Sequence, residues 1–121
     1  MENHIEIQDD IVIINLSGNL VRSTGEDLKN EVSGLIDKGF RYLLVDLSNV
    51  HLIDSYGITV CIAFYKMVEN IGGRLLFVNP RPAVEKVFHI TRADQKLQVV
   101  NSRQEGITAI HEKIRTTVEI K

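Results

Sequence analysis

Residues 42–78 read YLLVDLSNVHLIDSYGITVCIAFYKMVENIGGRLLFV and carry the strongest structural signal in the chain. The first part, Tyr42–Leu47, is nearly all apolar, which is typical of a strand covered on both faces in a parallel sheet. Ser48–Asn49 indicates a turn, after which residues 50–53 alternate briefly and are expected to stay extended. A second apolar run, Leu75–Val78, predicts the next covered strand.

A long helix is expected between these two strands. Asp54 or Ser55 can cap its start, because a short oxygen-bearing side chain accepts a hydrogen bond from a free backbone amide. The helix runs to about Asn70, and Gly72-Gly73 provides a left-handed stop. Because it is apolar over more than one face, we expect it to be buried on several sides or to meet a partner. Its apolar stripe is expected to contain Ile58, Cys61, Ile62, Tyr65 and Val68, with Val60, Phe64, Met67 and Ile71 mostly outside it.

The N-terminal part of the chain predicts a hairpin and a helix. His4–Gln8 alternates and Ile11–Leu16 is strongly apolar, and the two-residue link between them is typical of an antiparallel hairpin. Gly18 is expected to break the second strand. Ser23–Glu26 has the spacing of a capping box, a hydroxyl followed three residues later by a glutamate, so a helix is expected from there to residues 37–39.

The C-terminal part predicts two more helices around a weak strand. A short helix is expected from about Pro82 to Ile90, followed by a polar connector, a last strand at Leu97–Val100, and a helix capped by Ser102. Residues 118–121 are expected to form a loose tail. The order β-β-α-β-α-β-α-β-α predicts one α/β domain over residues 1–121, with a mostly parallel sheet and an antiparallel N-terminal hairpin.

Composition excludes several classes of protein. The chain has 121 residues and 44% hydrophobic content, enough for one core, and a net charge of -2 argues against a nucleic-acid binder. The single cysteine, Cys61, cannot form an internal disulfide, so a reducing, cytoplasmic setting is expected. The N-terminus is polar and acidic, unlike a signal peptide, and no apolar run reaches the roughly 18 residues of a membrane span.

The chain lacks the motifs of an enzyme, a metal site or a cofactor site. The four histidines are scattered without the spacing of metal ligands. Gly72-Gly73 has neither the dinucleotide-binding pattern nor a P-loop lysine. Ser55 stands in Asp-Ser-Tyr-Gly, but Ile53 occupies a position at which the nucleophile elbow has a glycine. We therefore predict no catalytic residue, no metal and no cofactor.

Ser55 has two interpretations on the sequence alone. It can be a simple helix cap, which is a common role for a serine. It can also be functional, because it comes after the C-terminal end of an expected central strand, where open α/β sheets place their working loops. The surplus of apolar residues on the helix after it favours the second interpretation.

Asp46-Leu47-Ser48 followed by Ile53–Gly57 resembles the STAS domain and, within it, the anti-sigma factor antagonists of bacteria. The resemblance covers nearly the whole chain and implies the STAS fold. Further matching segments are Ser17–Leu20 after the second strand, Asn70–Gly73 at the end of the central helix, and Pro82–Val84 with Val87-Phe88 in the short helix.

The resemblance implies that Ser55 is phosphorylated and works as a partner switch. The unmodified protein is expected to bind an anti-sigma factor, a serine kinase of the histidine-kinase-like ATPase fold, and so to free a sigma factor. The kinase then phosphorylates Ser55, the complex separates, and a serine phosphatase resets it. Val21 and Tyr56 depart from the family pattern, in which many relatives have an aspartate and a second small hydroxyl residue at these positions.

The resemblance also leaves two alternative functions open and implies a binding face. The protein can be a STAS scaffold or sensor that binds a partner without using Ser55, or a small-molecule or lipid carrier, which requires a cavity beside the central helix. No nucleic acid or membrane partner is expected. The expected partner-binding residues are Asn19, Val21, Arg22, Ser23, Thr24, Asp54, Ser55, Tyr56, Gly57, Ile58 and Thr59.

Overall fold

A computed structural model describes the backbone of residues 2–119 and the side chains of residues 2–115. These residues form one five-stranded sheet with four α-helices, and the expected order of elements is confirmed. The strands are β1 (Glu2–Gln8), β2 (Ile11–Leu20), β3 (Tyr42–Ile53), β4 (Arg74–Val78) and β5 (Val99–Val100). The helices are α1 (Arg22–Asp37), α2 (Ser55–Asn70), α3 (Pro82–Ile90) and α4 (Arg103–Glu119), with a short 3-10 turn at Ala93–Gln95.

The sheet is mixed, with strand order β1-β2-β3-β4-β5. Strand β1 pairs antiparallel with β2, as the hairpin pattern predicts, and the remaining pairs are parallel. Because side chains alternate along a strand, each strand contributes to both faces. Val12 and Ile14 face a core shared with α1, α2 and α3, whereas Ile11 and Ile13 face a smaller core covered by α4.

The predicted turn at Ser48–Asn49 is wrong, because β3 continues through these residues to Ile53. The strand is irregular at this point, where the register with β2 shifts. The Asp46 carboxylate accepts a hydrogen bond from the Ser48 backbone amide at 2.9 Å, which stabilises the irregular segment. Gly18 likewise does not break β2; with φ of 113° it lies next to a second register shift, and the strand continues to Leu20.

The predicted capping box at Ser23 is also wrong, because α1 begins at Arg22 and its N-cap residue is Val21. The Val21 side chain has no polar atom and cannot cap the helix. The Thr24 hydroxyl accepts a hydrogen bond from the Val21 amide at 3.1 Å and donates one to the Asn19 carbonyl at 2.7 Å. The loop before α1 is therefore fixed from inside the helix, through Thr24.

Helix α2 is buried on several sides, which explains its apolar composition. It packs between the sheet and α1, and Val60, Phe64 and Val68 are buried in the larger core. Gly25 of α1 allows the two helices to approach closely, since a Cβ atom there would lie 3.0 Å from Cγ2 of Val60. The apolar stripe is therefore rotated from the predicted one. Of the predicted members, Ile62 and Tyr65 are only partly buried.

Helix α4 is capped as predicted but is longer than predicted. The Glu105 amide donates a hydrogen bond to the Ser102 hydroxyl at 3.1 Å. The helix reaches Glu119, so residues 118–119 of the expected loose tail are helical, and residues 120–121 lie outside the described residues. The last strand covers only residues 99–100 of the predicted Leu97–Val100.

A partly buried ion-pair network joins the start of α4 to the sheet. Asp46 is the buried charged residue of the described core, and the Arg103 guanidinium lies 3.1 Å from its carboxylate and 3.4 Å from that of Glu6. Arg103 also donates a hydrogen bond to the Asn15 side chain. Asp46 therefore has partners for both carboxylate oxygens, as a buried charge requires.

The first turn of α2 lies directly against the end of β2. A Cβ atom at Gly57 would lie 2.2 Å from the Leu20 carbonyl oxygen and 2.7 Å from Cγ1 of Ile53. Contacts this short force the backbone apart, so only glycine allows this approach. The Asp54 amide also donates a hydrogen bond to the Leu20 carbonyl, at 3.4 Å.

We predict that Gly57→Ala lowers the free energy of unfolding by about 3 kcal/mol, because it overpacks the contact between α2 and β2. Gly34→Ala in α1 is the matched control, since the structure places no described atom within 4 Å of a Cβ there. This control is expected to raise stability by roughly 0.5 kcal/mol through helix propensity. Urea unfolding measures both variants, and equal effects of the two substitutions would contradict the close approach.

Candidate functional site

The candidate site lies on an extension formed by β2 and β3 alone. Strand β4 pairs with β3 only as far as Asp46, whereas β2 and β3 stay paired through Leu20 and Ile53. The chain leaves β2 to enter α1 and leaves β3 to enter α2, so both helices begin at this end. Two helix N-termini are therefore placed side by side at the carboxyl ends of two parallel strands, where open α/β sheets place binding loops.

Ser55 is the first residue of α2 and its side chain is exposed. The cap of α2 is Asp54, whose carboxylate accepts a hydrogen bond from the Gly57 amide at 2.8 Å. The interpretation of Ser55 as a simple helix cap is therefore wrong. Among the side chains of residues 2–115 and the backbone of residues 2–119, the Ser55 hydroxyl has no hydrogen-bond partner, so it is available to other molecules.

Tyr56 joins the start of α2 to the start of α1. Its hydroxyl donates a hydrogen bond to the Glu26 carboxylate at 2.7 Å, and the Arg22 guanidinium carbon lies 4.9 Å from the centre of its ring. We call these three residues the Arg22–Tyr56–Glu26 cluster. The hydrogen bond to Glu26 is the main reason why the pKa of the Tyr56 phenol lies above its ordinary value; partial burial adds to it.

The structure brings most of the expected binding residues to this one surface, but it buries two of them. Gly57 is buried and Ile58 is only 6% exposed, so both lie beneath the surface formed by the other residues. The Thr59 hydroxyl is exposed and donates a hydrogen bond to the Ser55 carbonyl at 3.0 Å. The exposed or half-buried expected residues are Asn19, Val21, Arg22, Ser23, Thr24, Asp54, Ser55, Tyr56 and Thr59.

Two residues at this site were not predicted from the sequence. Leu52 is 53% exposed near the end of β3, two residues before the cap of α2. The alternation of side chains along β3 could have indicated its exposure, because it places Leu52 on the face opposite to buried Ile53. Glu26 lies four residues after Arg22 in α1, a spacing at which opposite charges meet on one helix face.

The remaining chemistry of the described residues is simple. Among residues 2–115, no group of histidine, cysteine or acidic side chains could hold a metal ion. Cys61 is fully buried, and this burial raises the pKa of its thiol to about 12, so the thiol is not a nucleophile.

An open groove of about 180 Å³ near the end of α2, lined by Tyr65 and Glu69 among others, is small for an organic ligand. No helix within the described part is long and apolar enough to cross a membrane.

The chain belongs to the STAS domain family, whose model matches residues 3–106. The resemblance to the STAS domain, which the sequence around Ser55 indicated, is thereby confirmed. A relative from Bordetella bronchiseptica, BtrV, is classed as a candidate anti-sigma factor antagonist; it is 30% identical over 101 residues, which span 84% of this chain and 87% of BtrV. The anti-sigma F factor antagonist of Lysinibacillus sphaericus is 27% identical over 66% of this chain and 69% of its own length.

Solved structures support the same classification of the fold. The crystal structure of a candidate anti-sigma factor antagonist from Thermotoga maritima has a TM-score of 0.85 and 25% identity, covering 90% of this chain and 94% of that one. The Bacillus cell fate determinant SpoIIAA in its phosphorylated form has a TM-score of 0.70 at 22% identity, over 90% and 99% of the two chains. The second likeness concerns the fold alone.

We predict that Glu26→Ala lowers the pKa of Tyr56 toward that of a free phenol. The loss of the carboxylate removes both the hydrogen bond and the charge that favour the neutral phenol. The ring signals of Tyr56, followed by NMR as pH is raised, are therefore expected to titrate at lower pH in the variant. Tyr65 is an internal control, because its raised pKa comes from Glu69, and it is expected not to change. A Tyr56 titration that does not move would contradict the contact.

Proposed function

We propose that this protein is an anti-sigma factor antagonist that is switched by phosphorylation of Ser55. In its unmodified form it binds an anti-sigma factor with serine kinase activity, and the sigma factor held by that kinase is freed. Phosphorylation ends the binding, and a serine phosphatase restores it. The observation that carries the proposal is the exposed Ser55 hydroxyl, which has no partner among the described side chains of residues 2–115 and stands at the entrance to α2.

The chemical step is transfer of one phosphoryl group from ATP that is bound by the kinase. The Ser55 oxygen forms a bond to the γ-phosphorus, the bond from that phosphorus to the β-γ bridging oxygen breaks, and ADP leaves. The serine proton passes to a base. Asp54 is the neighbouring carboxylate but is engaged in capping α2, so we expect the kinase to supply the base.

The phosphorylated protein is expected to stay folded. A phosphoserine adds roughly 1.5 to 2 negative charges. At the first residue of α2 these charges meet free backbone amides and the positive end of the helix dipole, which stabilise an anion. The effect of the modification therefore falls on the surface rather than on the core.

The same charge is unfavourable for a bound partner. Asp54 is exposed next to Ser55, so the phosphate concentrates negative charge at the centre of the proposed contact. A badly placed charge in an interface can lower the binding free energy by about 4 kcal/mol, which weakens binding about a thousandfold. Phosphorylation can thus separate the complex without unfolding either protein.

The relatives support the proposal at two levels. The 27% identical relative from Lysinibacillus sphaericus is an anti-sigma F factor antagonist. The fold of this chain is also that of SpoIIAA, which has been solved in an unphosphorylated and a phosphorylated form. Both points favour a regulatory binding protein whose fold accommodates a phosphoryl group.

A scaffold that does not use Ser55 is the second candidate function. It is favoured by Val21, because the N-cap position of α1 has no carboxylate here, whereas many relatives have an aspartate at that position. A kinase that needs this carboxylate would bind the surface but would not modify Ser55. The two candidates differ in whether the kinase transfers phosphate.

We predict that a cognate anti-sigma kinase adds one phosphoryl group to the wild-type protein and none to Ser55→Ala, as read by intact mass after incubation with ATP. Ser17→Ala is the matched control, because Ser17 is an exposed serine that does not belong to the expected binding residues; it is expected to accept the group normally. Ser55→Asp is expected to bind the kinase at least tenfold more weakly. Transfer to Ser55→Ala would exclude the proposed switch, and binding indifferent to both Ser55 substitutions would favour the scaffold.

We predict that Leu52 is an apolar anchor of the partner contact. It is 53% exposed beside the Ser55 segment, and burying such a side chain commonly contributes about 1 kcal/mol or more, so Leu52→Ala is expected to weaken kinase binding about tenfold. Ile90→Ala is the matched control, since Ile90 is 67% exposed at the end of α3. Calorimetry measures both affinities. Equal affinity for the two variants would exclude Leu52 from the contact.

A further inference from the structure

We propose that Arg22 captures the phosphoryl group of phosphorylated Ser55 within the same chain, and that this movement takes the guanidinium off the Tyr56 ring. Phosphorylation then changes the shape of the docking surface as well as its charge. The inference rests on the proposed function, since it concerns the protein once Ser55 has been modified. In this proposal the Arg22–Tyr56–Glu26 cluster responds to the phosphorylation of Ser55.

Arg22 and Ser55 lie on chain segments that touch each other. The Asp54 amide lies 3.4 Å from the Leu20 carbonyl, at the point where α1 and α2 begin. Ser55 comes directly after one contact residue and Arg22 two residues after the other. The Arg22 guanidinium carbon is 4.9 Å from the ring of Tyr56, the residue next to Ser55. A rotation of a long side chain is therefore enough to bring the guanidinium to the phosphate.

Arg22 is weakly held in the unmodified protein. Its side chain is exposed, and among residues 2–115, whose side chains the structure describes, its partner is the face of an aromatic ring, without a salt bridge. A cation on an exposed ring is held loosely, whereas a guanidinium and a phosphate form paired, charge-assisted hydrogen bonds. Arg22 is therefore expected to leave the Tyr56 ring and to bind the phosphate.

Two other arginines, Arg81 and Arg103, are already engaged. The Arg81 guanidinium donates a hydrogen bond to the Ser48 carbonyl at 2.8 Å, and Arg103 is held by Asp46. The carboxylates near Ser55 are Asp54, next to it in the chain, and Glu26, which accepts from Tyr56. Both carboxylates repel a phosphate, whereas Arg22, on the segment that touches the start of α2, attracts it.

The movement of Arg22 has a consequence for Tyr56. Once Arg22 leaves, the ring loses the cation on its face and retains only the hydrogen bond to Glu26. An aromatic side chain at the centre of a contact commonly contributes strongly to binding. Capture of the phosphate therefore alters a residue that the unmodified protein presents to its partner.

The test uses protein that carries phosphoserine at position 55, introduced during translation, so that no kinase is needed. The second pKa of the phosphate is measured by phosphorus NMR in the otherwise wild-type chain and in Arg22→Gln. Because a nearby cation favours the dianion, the wild-type value is expected to be lower by about 0.5 to 1 unit. Lys29→Gln removes an exposed cation farther along α1 and is the matched control; its phosphate is expected to titrate like the wild type.

The Tyr56 ring signals give a second readout in the same samples. They are expected to shift when Ser55 is phosphorylated, and this shift is expected to be much smaller in Arg22→Gln. A phosphate pKa that is the same in the wild type and in Arg22→Gln overturns the proposal. Tyr56 ring signals that do not shift when Ser55 is phosphorylated also overturn it. The proposed function is judged separately by kinase transfer to Ser55, so the failure of one is distinguishable from the failure of the other.

Discussion

The contact between the first turn of α2 and the last residue of β2 fixes the whole functional end of the molecule. It requires a residue without a side chain at Gly57, because a Cβ atom would lie 2.2 Å from the Leu20 carbonyl oxygen. The contact places Ser55, two residues earlier, at the outer edge of the helix, and it holds Asp54 against β2 through a backbone hydrogen bond. The accessibility of the serine is therefore a consequence of backbone packing. Its own side chain has no part in holding the turn together.

Packing gives the proposed switch at Ser55 a rigid base. Phe64 and Val68 of α2 are fully buried between the sheet and α1, so the helix cannot tilt without opening the core. Protein interiors are close-packed and have low compressibility, so a helix packed in this way resists displacement. A charge added at Ser55 is therefore expected to act on the surface around Ser55. This favours regulation by a change of surface over regulation by a change of fold.

The order of elements, the sheet pattern and the family could be predicted from the sequence, because each depends on apolar periodicity or on a local motif. Predictions were wrong where a tertiary contact overrides a local signal. Ser48 and Asn49 form part of a strand because β2 pairs with this segment, although their types favour a turn. Ser23 does not cap α1 because the helix begins one residue earlier. Glu26 joins the site only through the meeting of two distant segments, which a single sequence does not reveal.

Val21 and Tyr56, the two departures from the family pattern, both affect the first turn of α1. A helix without a capping side chain loses about 1 kcal/mol, and Val21 leaves α1 in that state. The Tyr56 hydroxyl bonds to Glu26 and the Tyr56 ring lies beside Arg22, so α2 holds the first turn of α1 from outside. Both contacts act on the same turn of α1 whose N-cap residue has no polar side chain. The aromatic residue beside Ser55 thus takes over a task that an acidic residue can perform at the N-cap position in other members of the family, and it couples the serine to the neighbouring helix.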